Sequence, residues 1–437
     1  MRSKLPKVLH CVAGKPMLSH VINSAKVLAP RAIHVVVGHG GDQVIAAIDD
    51  DVLQWVRQEQ QLGTGHAVAQ AMPNVQADSL ILIAYGDVPL VNSNTLSALL
   101  ATADDTTLAL LTVTLDDPSN YGRIVRRDGE ICAIVEEKDA DEDQRCIDEI
   151  NTGIMVVTAE KLARWLPQLS ADNAQGEFYL TDIIALAVAD GMRVQSCEPN
   201  SVMEIEGINN RLQLAAVERY YQQQQACRLM LQGATLADPD RIDVRGTLTV
   251  GEDVFIDINC VFIGRVSLAD GVCIGPNCVI ENSTVGQGTT IKANSVLEQA
   301  EVAANADIGP FARLRPGAVL ADGVKIGNFV EVKNTTLAAG SKANHLAYLG
   351  DAVIGQGCNI GAGTITCNYD GAFKHQTTLG DDVFIGSNST LVAPITIADG
   401  AFVGAGSTVT KTIEPNQLAV GRGKQRNIDG WKKPAKG

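Results

Sequence analysis

The sequence predicts two folds in tandem, an α/β domain followed by an all-β parallel β-helix of hexapeptide repeats. Two observations carry this reading. From Val250 to Val409 an aliphatic residue returns at every sixth position, and ahead of that stretch buried β-branched runs alternate with helical ones. The length of 437 residues agrees, because single cores stop growing near roughly 250–300 residues. A period of six suits neither a helix at about 3.6 nor a lone strand at about 2, but it suits a short strand plus a tight corner, repeated three times per coil. A β-sandwich would space its turns at about 8–12 residues.

The repeat register runs Val250, Ile256, Phe262, Leu268, Ile274, Ile280, then slips by one residue to Val285, Ile291, Leu297. A second slip leads to Val302, Ile308, Leu314, Leu320, Ile326, Val332. An interruption between about Ala339 and Ile354 follows, and the pattern resumes at Ile354 and Ile360 and again from Leu379 to Val409. Each coil leaves its aliphatic row uncovered unless a neighbour stacks on it, so the stacked rows form the core.

In the first part the pattern predicts a helix from Met17 to about Leu28, a strand over Ile33–Val37 closed by Gly38, and a strand over Leu80–Ala84 closed by Tyr85-Gly86-Asp87. These read as a parallel sheet covered by helices. Ligands of such sheets bind beyond the carboxyl ends of strands. Asp87, framed by Gly86 and Pro89, stands at such an end, either as a Mg²⁺ carboxylate or as a cap of the next turn. Gln61-Leu62-Gly63-Thr64-Gly65-His66 precedes a helical stretch, so its backbone N–H groups are candidates to receive a phosphate or a base edge; a simple helix start is the alternative. A gap-free helix from Arg211 to Gln232 stops at Gly233, and its Tyr220–Gln225 centre is polar enough to predict an exposed arm between domains.

Composition narrows the function. The net charge of −15 argues against nucleic-acid and lipid-surface roles, so any anionic ligand is held by local basic groups. Ten cysteines without a C-x-x-C pair read as small buried apolar residues of a cytoplasmic protein. No apolar run reaches the roughly 18 residues of a membrane span. The terminal Gly421-Arg422-Gly423-Lys424-Gln425-Arg426 concentrates basic residues at the end of an acidic chain, as an anion contact or a solvated tail.

Several motifs stand together in one order. They are Leu5-Pro6-Lys7, Gln61–Ala67, Tyr85-Gly86-Asp87-Val88-Pro89, Tyr121-Gly122-Arg123, Val135–Lys138, Ile150-Asn151-Thr152-Gly153 and Glu206–Asn210, then Ile308–Pro316, Asn344–Asp351, Gly361–Thr364 and Asn368-Tyr369-Asp370-Gly371. With them the whole chain resembles the bacterial bifunctional N-acetylglucosamine-1-phosphate uridyltransferase / glucosamine-1-phosphate N-acetyltransferase family.

The resemblance implies a Rossmann-like uridyltransferase domain over 1–211, a linker helix over 212–232, and over 233–437 an acetyltransferase domain, a left-handed β-helix with a C-terminal tail. It implies a cytoplasmic homotrimer that makes UDP-N-acetylglucosamine for peptidoglycan and lipopolysaccharide precursors. Acetyl-CoA and UTP are its co-substrates, with glucosamine-1-phosphate and N-acetylglucosamine-1-phosphate as acceptors and Mg²⁺ as the metal. In the acetyltransferase half His345 matches the general base, a task that suits an imidazole, and Glu331 is a candidate to orient it. Arg315 and Lys333 match the sugar-phosphate clamp, Tyr348 and Asn359 the sugar contacts, and Ala362, Asn368, Tyr369, Ser387, Ala405 and Arg422 the acetyl-CoA contacts. In the uridyltransferase half Asp87 and Asn209 match the Mg²⁺ ligands and Lys7 a phosphate contact. Gln58, Gly63, Thr64, Tyr85, Gly86, Gly122, Glu136 and Asn151 match the nucleotide and sugar contacts.

Family members begin with an apolar strand and a Leu-Ala-Ala-Gly-x-Gly-Thr-Arg-Met loop, and Met1 falls where that loop would end. The expectation is a sheet without its central first strand and a weakened uridyltransferase. Two rivals to the bifunctional reading are an acetyltransferase alone and a solenoid scaffold without activity. The scaffold gives no reason for His345, Lys333, Arg315 and the Asn368-Tyr369 loop to occur together.

Overall fold

The computed structural model describes residues 1–433, so 434–437 of the expected second domain lie outside the described residues. The chain forms two compact units, Met1–Tyr221 and Gln222–Gly437.

In the first unit a helix α1 (Met17–Lys26) leads to a parallel pair, β1 (Ile33–Val37) and β2 (Leu53–Arg57), which make a two-stranded sheet of their own. Helix α2 (Thr64–Ala71) precedes β3 (Leu80–Ile83), and α3 (Ser93–Thr102) precedes β4 (Thr107–Thr114). A six-stranded sheet is then completed by β5 (Gly122–Arg127), β6 (Glu130–Val135), β7 (Glu149–Thr158) and β8 (Arg193–Cys197). The expected parallel sheet is mixed: β4 and β8 pair in parallel, whereas β7 runs antiparallel to β3, β4 and β5. The reason is the short β5–β6 antiparallel pair, joined at Asp128-Gly129 with both residues at positive φ, which reverses the chain without a helical crossover. Strands β4 and β7 carry the core, with Leu108, Leu110, Ile154, Met155 and Val157 all fully buried.

The long helix α4 (Arg211–Leu231) buries Val217, Gln222, Ala226 and Leu229. The expectation of an exposed polar centre fails at Gln222, which is 2% exposed. Its side-chain amide donates to Val244 O at 3.0 Å and accepts from Val244 N at 2.7 Å. Val244 lies on the first long strand of the solenoid, Ile242–Val250, whose outer edge has no preceding coil to pair with. Gln222 therefore replaces a missing strand at that residue.

The second unit is a stack of parallel rows, one sheet of 11 strands and another of 15. Strand Cys260–Leu268 pairs with both Val279–Glu281 and Thr284–Val285, so the larger sheet divides into two rows and the coil has three sides. Every hexad residue named above is buried except Val250, which is half-buried. Each fully buried aliphatic side chain contributes about 1.5–3 kcal/mol. Small hydroxyls at the inner corners join one coil to the next. Ser283 Oγ accepts from Ala300 N at 3.0 Å, Thr335 Oγ1 from Ala352 N at 3.1 Å and Ser341 Oγ from Cys358 N at 2.9 Å, which leaves these buried groups satisfied.

The expected interruption between Ala339 and Ile354 is absent. Leu337, Ala343 and Leu349 are buried in the same inner rows, on strands β9 (Glu331–Leu337), β10 (Lys342–His345) and β11 (Tyr348–Ile354). An alanine at an aliphatic position hid the repeat. The chain instead leaves the solenoid between Cys367 and Thr377, on segment Asn368–Gln376. Of the ten cysteines, Cys260, Cys278 and Cys358 are buried, while Cys11, Cys146 and Cys227 are exposed, so the reading of all ten as core residues is also corrected. Among the described residues no helix is long and apolar enough to cross a membrane.

Candidate active sites

In the first unit three residues far apart in sequence converge. Lys7 stands on a short 3-10 turn, Lys7–Leu9, Asp87 follows β3, and Asn209 precedes α4. Lys7 Nζ lies 2.5 Å from both Asp87 Oδ2 and Asn209 Oδ1. The two oxygens thus face one cationic point, and Asp87 O also accepts from Ile208 N at 3.0 Å, which ties the two segments together. Among the described residues no group of three or more His, Cys, Asp or Glu is placed to hold a metal. A carboxylate and an amide oxygen directed at one cation fit Mg²⁺, which takes few protein ligands and completes its shell with water and substrate phosphate.

Around this point β7 organises the remaining candidates. Asn151 pairs across to Thr112 of β4 and Gly122 of β5, and its Oδ1 accepts from Gly153 N at 2.9 Å. Gly153 has φ +81°, and a Cβ there would lie 2.3 Å from the Tyr85 ring. The close approach needs glycine on both counts. Burial, followed by the nearby Glu136 and Asp87 charges, pushes the Tyr85 phenol up to about 12. Burial also raises the Glu136 carboxyl, partly offset by the Thr181 hydroxyl that donates to it at 3.2 Å. Gly122 lies against Glu136, and Gly86 against Leu18.

The Gly63–Gly65 turn, a candidate for a phosphate or a base edge or for a simple helix start, opens α2 and packs against the Phe178 segment. Gly65 N donates to Phe178 O at 2.8 Å, Thr64 Oγ1 accepts from Leu180 N at 3.0 Å, and a Cβ on Gly63 would lie 2.6 Å from Phe178 O. Its glycines admit a neighbouring backbone, while Gln58 Nε2 closes the turn onto Gly63 O at 3.2 Å.

In the second unit His345 ends β10, exposed, at a corner turned by Leu346 with φ +48°. Its Nδ1 lies 2.8 Å from Asn328 Oδ1, one coil back. Glu331, the candidate to orient it, instead pairs with Arg315 at 2.7 Å, because it shares a row with Arg313 and Arg315 on another side of the coil. Asn328 carried no signal in the hexads, since it fills an ordinary outward position. Arg315 and Lys333 follow each other on that row, with Gly350 next in register to Lys333. The Lys374 ammonium beside Lys333, more than any other cause, lowers its pKa. Lys374 was not anticipated, and only its place after Asn368-Tyr369-Asp370-Gly371 could have marked it.

Ala362, Ser387 and Ala405 occupy the same corner as His345 in successive coils. Gly363 N donates to Leu346 O at 3.1 Å, Asn388 N to Ala362 O at 2.7 Å, and Gly406 N to Ser387 O at 2.8 Å. Arg422 Nη1 reaches Ala405 O at 2.7 Å. Asn359 faces outward on the side of Lys342, and Tyr348 begins the next side after the corner. Asn368 donates to Asp351, and Tyr369 is exposed. Within one chain, then, Arg315, Lys333 and Tyr348 lie on one side of the coil and His345 and Asn359 on another.

A family model described as a MobA-like NTP transferase domain matches residues 1–179, and one described as the GMPPB C-terminal domain matches 244–327 and 300–397. Relatives named bifunctional protein GlmU from Marinobacter nauticus, Stutzerimonas stutzeri and Acinetobacter baumannii are 60%, 59% and 56% identical. Each match covers 100% of this chain and 96% of the relative. The chain belongs to the bifunctional GlmU family. It is a multifunctional transferase with a nucleotidyltransferase domain in its first unit, and the tandem of α/β domain and β-helix is the architecture of the family.

Proposed function

We propose that the chain makes UDP-N-acetylglucosamine from glucosamine-1-phosphate in two steps, acetyl transfer in residues 233–437 and uridylyl transfer in residues 1–211, with 212–232 joining them. The column Asn328, His345, Ala362, Ser387, Ala405 carries the reading of the first step: a base at the foot of a line of small residues, one coil apart. Successive coils rise about 4.8 Å, so the line from His345 to Ala405 is roughly 15 Å long and narrow, which suits the extended arm of acetyl-CoA.

Asn328 Oδ1 only accepts, so the His345 proton sits on Nδ1 and Nε2 keeps its lone pair. Nε2 takes the proton of the sugar amine as its nitrogen attacks the thioester carbonyl. The C–S bond then breaks, and coenzyme A leaves as the thiol with that proton. Arg315, Lys333 and Lys374 hold the sugar phosphate, Tyr348 and Asn359 the sugar, and Ala362, Asn368, Tyr369, Ser387, Ala405 and Arg422 the donor. Bound phosphate displaces Glu331 from Arg315.

In the second step a phosphate oxygen of N-acetylglucosamine-1-phosphate attacks the α-phosphorus of UTP, and pyrophosphate leaves. The nucleophile is already an anion, so no protein base is needed. Lys7 neutralises phosphate charge, and Gln58, Gly63, Thr64, Tyr85, Gly86, Gly122, Glu136 and Asn151 position the nucleotide and sugar. Mg²⁺ held by Asp87 and Asn209 supplies charge neutralisation at the phosphates when bound.

A cytoplasmic homotrimer completes the reading. Site residues on two sides of one coil are brought to one sugar phosphate when neighbouring solenoids pack side by side. The corner below the small-residue line also exposes a bulky column, Phe311 at 48%, Phe329 at 56% and Leu346 at 61%, with the two rings stacked at 5.3 Å. Apolar side chains on left-handed backbone are costly to display to water. The reading as an acetyltransferase alone is not favoured, since the relatives named bifunctional match from end to end. Assaying both half-reactions on one preparation tests the assignment. Chelation of divalent cations by EDTA is expected to stop uridylyl transfer and spare acetyl transfer, and loss of both together would overturn the division.

A further inference from the structure

The excursion Asn368–Gln376 starts from the row that holds the phosphate clamp. Arg315, Lys333, Gly350 and Cys367 follow one another in register, and the chain leaves the coil directly after Cys367. A segment outside the solenoid loses about 1–2 kcal/mol of backbone entropy per residue on ordering. It needs its own closure.

Asp370 provides that closure. Its Oδ1 accepts from Ala372 N at 2.8 Å and Phe373 N at 2.7 Å, and its Oδ2 lies 2.7 Å from His375 Nε2. His375 N donates to Asn368 O at 2.8 Å, and Tyr369 bridges Lys374 in antiparallel register. The backbone N–H of Phe373, then His375, then the N–H of Ala372 hold the Asp370 carboxyl far below the usual range, so it stays charged. Both its oxygens are used inside the loop, and the carboxylate does not reach Lys374. Lys374, flanked in the chain by Phe373 and His375 and itself exposed, is set beside Lys333. Among the described residues neither ammonium has a carboxylate within salt-bridge distance. Two like charges brought together repel, so keeping them side by side takes a rigid support. A site of this kind is organised for an anion.

We propose that the Asp370–His375 pair is a positioning device that holds Lys374 against Lys333, so that a sugar phosphate meets a ready-made cationic pocket. The inference rests on the assignment of Lys333 and Lys374 to the phosphate of glucosamine-1-phosphate. Asp370 and His375 touch no substrate and act through Lys374.

The test uses the full chain and steady-state acetyl transfer, with uridylyl transfer and melting temperature as checks of folding. Lys374→Ala is expected to raise KM for glucosamine-1-phosphate roughly tenfold, the scale of one charged hydrogen bond. Asp370→Ala and His375→Ala are expected to raise it similarly with kcat within about twofold, while His375→Gln, which keeps a donor for Asp370 Oδ2, recovers most of the loss. The decisive measurement is the double variant His375→Ala/Lys374→Ala, expected to match Lys374→Ala alone, because residues acting as one unit are not additive. If Lys374→Ala leaves KM unchanged, the phosphate assignment itself is wrong. If Lys374→Ala raises KM but Asp370→Ala and His375→Ala do not, or if the double variant is additive, the positioning role is overturned and the phosphate assignment stands.

Discussion

Asn328 holds His345 from one coil below, Oδ1 to Nδ1 at 2.8 Å across a parallel ladder. The imidazole is thereby committed to one tautomer by a neutral partner rather than by a carboxylate. The amide orients the ring through a single hydrogen bond, whereas a carboxylate in its place would add a charge beside it.

His345→Ala is therefore expected to lower acetyl transfer by roughly 10²–10⁴-fold, and Asn328→Ala by about tenfold in kcat with little change in either KM. Uridylyl transfer stays at the parent level in both. Asn328→Asp separates orientation from charge: it is expected to move the acidic limb of the pH–rate profile upward in pH, which a purely structural loss leaves in place.

Gly153 sets the position of Tyr85. Gly153→Ala is expected to cost about 1–3 kcal/mol in the first unit, from overpacking against the ring and from the positive φ. Calorimetry should show unfolding of the first unit shifted down in temperature and unfolding of the solenoid unmoved. Uridylyl transfer should fall while acetyl transfer does not.

Glu136 gives a pH dependence with a definite sign. Burial, the leading cause, raises its pKa in the fold above the unfolded value. Its stabilising contribution is then fully present below the ordinary glutamate range and is lost as pH rises through the folded pKa; above that, the unit carries a buried charge. Glu136→Gln is expected to raise the melting temperature of the first unit at about pH 8, to do so less at about pH 4.5, and to reduce uridylyl transfer. A lower melting temperature at about pH 8 would show that the carboxylate is a net stabiliser there.

The solenoid was legible because each buried row is built from large aliphatics at a fixed period. Where a coil uses a small residue, as at Ala343, periodicity loses it, and the interruption appeared around His345 instead of at Asn368–Gln376. In the α/β unit single strands were visible, but their directions were not, since β7 pairs antiparallel with strands distant in sequence. Motif residues such as Lys7, Asp87 and Asn209 were found through their order along the chain, and they do converge. Partners defined only by stacking were out of reach. Asn328 and Glu331 are three residues apart, yet a corner between them sends one to His345 and the other to Arg315. Gln222 looked solvent-facing because its polar neighbours are, whereas its own partner is a backbone edge.

The corner column that starts at His345 has a property no single pocket has. Its length comes in whole steps, one per coil, and each step is locked by backbone hydrogen bonds such as Gly363 N to Leu346 O and Gly406 N to Ser387 O. A molecule lying along it is measured against a graduated scale whose zero is the imidazole and whose far mark is Arg422. Under the proposed assignment of this column to the thioester donor, selectivity between long and short thioesters needs no induced closure: the solenoid is a ruler, and only a donor that spans the marks places its carbonyl at zero.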